Sequence, residues 1–87
     1  MAGRYLVEAF SAGLGEQELR QAAVRARAAA QELTSEGTPV RYVRSLFVPD
    51  DELCLWLYEA TSAEAVGEAT RRAAIEVERV VEAVSIA

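Results

Sequence analysis

Residues 40–59 read VRYVRSLFVPDDELCLWLYE. Val40 to Val48 and Glu52 to Glu59 are rich in β-branched, aromatic and other apolar residues, as strands are. Between them, Pro49 presets its own φ, and Asp50 and Asp51 can bond to the backbone of a turn. The stretch therefore predicts a β-hairpin. On its N-terminal side, Gly37 and Pro39 close a segment in which Leu19, Ala23, Ala26, Ala30 and Leu33 recur in steps of four and three. That spacing puts them on one face of a helix, with Arg20, Arg27 and Gln31 off the stripe. The stripe is mostly alanine, so this helix can approach a sheet closely. Before it, Arg4 to Phe10 reads as a strand, and the turn-rich Ser11 to Gly15 follows it. On the C-terminal side, Thr61-Ser62-Ala63-Glu64 matches a helix capping box. The helix it starts runs to about Ala74, with Val66, Ala69 and Ala73 inward, and Arg79 to Ile86 reads as a last strand.

Strand, helix, hairpin, helix, strand is the ferredoxin-like βαββαβ order. The expected fold is α+β: one domain over residues 1–87, a four-stranded antiparallel sheet, both helices on one face. Right-handed crossovers put the first and third strands at the centre. A domain of 87 residues has a thin core, which dimerisation would supplement.

Composition narrows the function. The formal charge is −5, and all nine basic residues are arginine. An acidic chain without a lysine-rich stripe is a poor binder of phosphate backbones, so nucleic acid is not an expected partner. No apolar run approaches the length of a membrane span, and the opening residues lack the pattern of a secretory signal. The expected location is the cytoplasm. There is no histidine and one cysteine. This excludes Ser-His-Asp and Cys-His catalysis, an internal disulfide and every cysteine-cluster metal site. No cofactor is implied.

The third strand alternates between two kinds of residue. Leu53, Leu55 and Leu57 form an aliphatic side, expected to face the helices. Cys54, Trp56 and Tyr58 are then expected on the open face, with Leu6, Glu8, Phe10, Tyr42, Arg44, Leu46 and Glu82. So apolar a face marks an interaction surface, and a homodimer with a sheet-on-sheet interface or cleft is expected.

Several residues on that face are candidates for chemistry. Glu8 and Glu82, on neighbouring strands, could share a proton or act as acid and base; solvation or pairing with Arg44 is the plainer reading. Arg44 could hold a carboxylate or phosphate, or pair with a glutamate. Trp56, Tyr58, Tyr42 and Phe10 could line a pocket for a planar molecule, or simply pack. Cys54 lies mid-strand with at most an arginine as a cationic neighbour, so a buried, inert thiol is the plainer reading. Gly13-Leu14-Gly15 reads as a turn and helix start, since the remainder of a phosphate-loop motif is missing. Arg71 and Arg72 complement a helix C-terminus and can pair with Glu68.

The YLVE opening, VRYVRSLFVPDDEL through the hairpin, and the closing SAEAVGEATRRAAIEVERVVEAV resemble a family of small bacterial proteins of ferredoxin-like fold. Some members bind nickel, and many have no assigned function. The resemblance implies this fold and a dimer. It also implies, in the nickel-binding members, a histidine after Tyr-Val or Trp-Val in the second strand, where this chain has Arg44, and another after the glutamate of the second helix, where it has Ala69. Neither residue can replace an imidazole ligand, so the family's metal site is not expected here. The leading expectation is a dimeric small-molecule-binding or accessory protein, its ligand held by Glu8, Tyr42, Arg44, Trp56, Tyr58 and Glu82. The alternatives are a carboxylate metal site at Glu8 and Glu82, with or without Cys54, and a cofactor-free isomerase or cyclase with Glu8 or Glu82 as its base.

Overall fold

The computed structural model of the chain describes residues 2–86. Its elements are strand β1 (Gly3–Phe10), helix α1 (Glu16–Ser35), strand β2 (Val40–Val48), a single 3-10 turn (Pro49–Asp51), strand β3 (Leu53–Ala60), helix α2 (Ala63–Arg72) and strand β4 (Arg79–Ala83). The sheet order is β2-β3-β1-β4, and every pairing is antiparallel. This is the ferredoxin-like arrangement, with β1 and β3 central as predicted. The last strand stops at Ala83, short of the expected Ile86.

Local chemistry sets the helix ends. Gly13 (φ +77°) turns the chain towards α1, and the Gly15 N–H donates to the Glu18 carboxylate at 3.0 Å, satisfying one donor of the first turn. At the other end Gly37 takes φ +100°, and the Thr38 N–H donates to the Leu33 carbonyl at 2.9 Å, a Schellman closure. Thr34 Oγ1 both donates to the Val40 carbonyl and accepts from its N–H, which fastens the start of β2 to the end of α1. Helix α2 begins one residue later than the Thr61–Glu64 box predicts. Ser62 is its cap, accepting from the Ala65 N–H at 3.1 Å.

Helix α2 also ends in a Schellman turn, with the Ile75 N–H on the Thr70 carbonyl at 3.0 Å. The left-handed position here is Ala74, at φ +58°. A Cβ costs about 1 kcal/mol in that region, and the Ala74 side chain is exposed. Ala74→Gly is therefore expected to raise stability by about 0.5–1 kcal/mol, measured as a higher urea midpoint at unchanged slope.

The two faces of the sheet are the reverse of the expectation. Trp56 and Cys54 are 1 % and 2 % exposed and Tyr58 is fully buried, all three under the helices. Leu53, Leu55 and Leu57 lie half-buried on the open face. Side-chain volume explains the inversion. The helix surface facing the sheet is built largely of alanine (Ala22, Ala26, Ala29, Ala30, Ala65, Ala69). Native packing density is then reached only if the sheet supplies the bulk.

Strand β2 departs from the expectation for another reason. Its register with β3 steps from Tyr42↔Tyr58 to Arg44↔Leu57, leaving Val43 as a bulge. One extra residue resets the alternation. Tyr42, Ser45 and Phe47 therefore pair with the buried residues of β3, while Arg44 and Leu46 pair with its leucines. On β4, Glu82 lies opposite Tyr5 and Arg79 lies opposite Glu8. Glu8 and Glu82 are thus on opposite faces and cannot form the acid–base pair considered above.

Arg72 does more than complement its helix end. It bonds both carboxylate oxygens of Glu36 at 2.9 and 3.0 Å, Glu68 at 2.9 Å, and Glu32, so it clamps α2 to the end of α1. The Arg72 hydrogen bonds hold the Glu36 carboxyl below its ordinary value, and bonds from Arg71 and then Arg72 do the same for Glu68. A carboxylate whose pKa is lowered by folding is protonated first in the unfolded chain. The clamp's contribution is therefore whole above about pH 4.3 and is lost as pH falls through the lowered folded values. Arg72→Ala should flatten this acid limb, as followed by urea midpoints at a series of pH values.

Candidate functional site

The open face is ordered in cross-strand rows. Arg44–Leu57–Leu6–Val81 and Leu46–Leu55–Glu8–Arg79 are the two central rows, and Val48–Leu53–Phe10 closes one end. At the other end Glu59 is held by Arg41 at 2.7 Å and Arg4 at 3.2 Å. Glu8 is bonded to Arg79 at 2.8 Å. The result is an aliphatic band interrupted in one central row by the Glu8–Arg79 pair, with further charges at its ends. Leu46 and Phe10 are 61 % and 60 % exposed.

Of the expected site residues, only Glu8 and Arg44 remain on this face, and they belong to different rows. Tyr42, Trp56 and Tyr58 form an aromatic cluster in the helix-side core. The Tyr42 ring centre lies 6.0 Å from that of Trp56 and 5.7 Å from that of Tyr58. The Tyr42 hydroxyl hydrogen-bonds with Ser45 Oγ at 2.9 Å, and the Arg27 guanidinium stands 5.4 Å from the ring centre. An aromatic pocket on the open face is therefore replaced by a packed aromatic core beneath α1. The proposed metal trio does not converge either, since Glu8 lies on the open face and Cys54 and Glu82 on the other.

A cavity of about 540 Å³ opens instead at one end of the helix layer. It is bounded by the end of β1, the first half of α1 and the connection from α2 to β4. Trp56 and Cys54 reach it from β3; Ala9, Leu14, Leu19, Ala22 and Ile75 supply apolar wall; Ser11, Glu18, Arg25 and Glu76 supply polar groups. Arg25 Nε donates to the Ala73 carbonyl at 2.8 Å, joining α1 to the end of α2 beside the cavity. Its guanidinium makes no ion pair among the described residues. Trp56 Nε1 and Ser11 Oγ are both buried without a hydrogen-bond partner, an uncommon and unfavourable condition. Burial pushes the Cys54 thiol up to about 11, so it stays protonated at neutral pH and is a weak nucleophile. Burial, and secondarily Tyr42, likewise raise the Tyr58 phenol.

Ser11, Arg25 and Glu76 did not stand out in the sequence. Arg25 offered a signal, because it follows Ala22 by three and precedes Ala26, at the edge of the inward stripe. Ser11 and Glu76 lie in connections, where spacing says nothing about what they face.

These features define a small ferredoxin-like α+β protein with a cavity between its helix layer and its sheet. The family model described as "Nickel responsive protein SCO4226-like" matches residues 5–83. The chain belongs to that family. Among solved structures, the crystal structure of SCO4226 from Streptomyces coelicolor A3(2) is similar with a TM-score of 0.81. It is 21 % identical over 97 % of this chain and 99 % of that one, and what it shares here is the fold. No curated protein matches the chain.

The residues present do not fit a nickel site. Arg44 points to the open face and Ala69 is fully buried on the inner side of α2, so the two positions implied by the resemblance lie on opposite sides of the sheet. Arginine keeps its proton and alanine has no donor. Among the described residues, no three of His, Cys, Asp and Glu are placed to hold a metal ion.

Proposed function

We propose that the chain is a cytoplasmic, homodimeric small-molecule-binding protein, with its ligand in the cavity between α1 and the sheet rather than over the open face. The observation that carries this reading is the cavity itself. Its volume of about 540 Å³ falls within the usual range for ligand sites, roughly 300–1,000 Å³. Its lining is mixed, with Ser11, Glu18, Arg25 and Glu76 beside an apolar wall, so polar as well as apolar contacts are open to a ligand. The open face is then free for a second copy. It is four strands wide and about eight residues long, which is roughly 500 Å² in projection at about 4.8 Å per strand and 3.3 Å per residue. Its side-chain relief brings that towards the standard interface of about 800 Å² per partner. An aliphatic face whose one central carboxylate, Glu8, is already paired with Arg79 suits a two-fold contact with itself.

The family description speaks of nickel. With Arg44 and Ala69 at the two positions that matter, we read this chain as a member that keeps the fold without that metal site. Carboxylate catalysis gains nothing from the geometry, because Glu8 is held by Arg79 and faces away from Glu82. Native mass spectrometry of the untagged protein tests the reading. A dimer carrying an organic adduct supports it, and a dimer carrying nickel overturns it.

A further inference from the structure

We propose that the ligand is an organic cation, its apolar body in the cavity and its ammonium group against Phe10, Glu76 and Glu78. The proposal rests on the cavity being the binding site and names the chemistry of its occupant.

A second depression, of about 420 Å³, adjoins the cavity and is lined by Phe10, Glu76, Val77 and Glu78. Phe10 and Glu76 line both chambers. The two differ in charge. The larger has Glu18 and Arg25 besides Glu76, whereas the smaller has two carboxylates and no basic residue. Neither Glu76 nor Glu78 forms an ion pair among the described residues. The nearby arginines are engaged elsewhere. Arg79, next to Glu78 in the chain, holds Glu8 at 2.8 Å. Arg25 donates to the Ala73 carbonyl, at the end of α2 where the helix dipole favours a cation. Phe10 adds a second attraction of the same sign. It is 60 % exposed, so its ring is open to a ligand, and an aromatic face attracts a cation. Leu14 in the larger chamber and Val77 in the smaller add exposed apolar surface, which suits an apolar body joined to the charge. The frame is set before any ligand arrives, because the Glu78 N–H donates to the Glu8 carbonyl and the Ser11 N–H to the Glu52 carbonyl, each at 2.7 Å. An anion would meet three carboxylates against one guanidinium across the two chambers. A divalent metal would need at least three converging ligands, and among the described residues none are so placed.

Three probes share a naphthalene body: (2-naphthylmethyl)trimethylammonium, its uncharged isostere 2-neopentylnaphthalene, and the anion 2-naphthylacetate. Binding to the ¹⁵N-labelled untagged protein is followed through the backbone amide signals of Phe10, Glu76, Val77 and Glu78 in a proton–nitrogen correlation spectrum. The ammonium compound is expected to bind about tenfold more tightly than its isostere, as an exposed cation–π contact and a surface charge pair together imply. That advantage should fade as sodium chloride rises from about 0.01 to about 1 M, which shortens the screening length from about 30 to about 3 Å. Glu76→Gln combined with Glu78→Gln removes charge at two exposed positions and keeps the bulk. It should bring the two affinities together by weakening the ammonium compound alone. Equal affinities of ammonium compound and isostere in the unsubstituted protein overturn the ligand class while leaving the cavity as a binding site. Tighter binding of the anion does the same. An ammonium preference that survives the double substitution overturns the assignment of the charge to Glu76 and Glu78. Amide signals unmoved by all three compounds overturn the cavity as a site, and the proposal with it.

Discussion

Trp56→Ala is expected to cost about 3–5 kcal/mol of folding stability, the range for deleting a large aromatic side chain from a packed core. A domain of this size has on the order of 5–10 kcal/mol to lose, so the variant should be close to unfolding at 37 °C. The reason lies in the division of volume between the two layers. The helices bring alanines to the interface, so the Trp56 ring fills space that no helix residue can reclaim by a change of rotamer. Collapse would have to move α1, and Arg72 holds its far end to α2. The loss is read by circular dichroism during urea denaturation, because the substitution removes the only indole. Trp56→Phe keeps most of the volume and should cost less than half as much. A Trp56→Ala protein with near-normal stability would mean that the indole is not a packing element.

Leu55→Asp should have the opposite profile, with little effect on the fold and a large one on assembly. Leu55 stands at the centre of the open face between Leu46 and Glu8, and a carboxylate there is solvated in the monomer. In a sheet-on-sheet dimer it would be buried twice, once from each copy, at several kcal/mol per charge. The dimer should weaken by at least about 10³-fold, leaving a folded monomer by light scattering at tens of micromolar. Normal dimerisation of the variant would move the interface elsewhere, and a monomeric parent protein would remove it.

The order of elements was legible because it is carried by period and punctuation. The hairpin at 40–59, the 4-3-4-3 stripe from Leu19 to Leu33 and the closure at Gly37 and Pro39 each have a local physical cause. The orientation of the sheet was not legible. Alternation in β3 separates leucines from Cys54, Trp56 and Tyr58, but it is symmetric with respect to the two faces. What breaks the symmetry is the alanine surface of the opposing helices, a partner distant in the chain. The reading of Arg44 as lying on the open face held, whereas Tyr42, Trp56, Tyr58 and Glu82 were placed on the wrong side. The cavity was legible only through Trp56 and Cys54, because it is assembled from connections whose side chains follow no period.

The bulge at Val43 has a consequence for comparing this chain with its relatives. Before it, the even-numbered residues Val40 and Tyr42 face the helices; after it, the odd-numbered Ser45 and Phe47 do. Strand β2 therefore has two phases joined at one residue. A sequence alignment that slips by a single position here would exchange interior for surface along half the strand, turning a conservative difference into an apparent radical one. Correspondences in this strand are sound only when Val43 is matched to the bulged residue of the other chain.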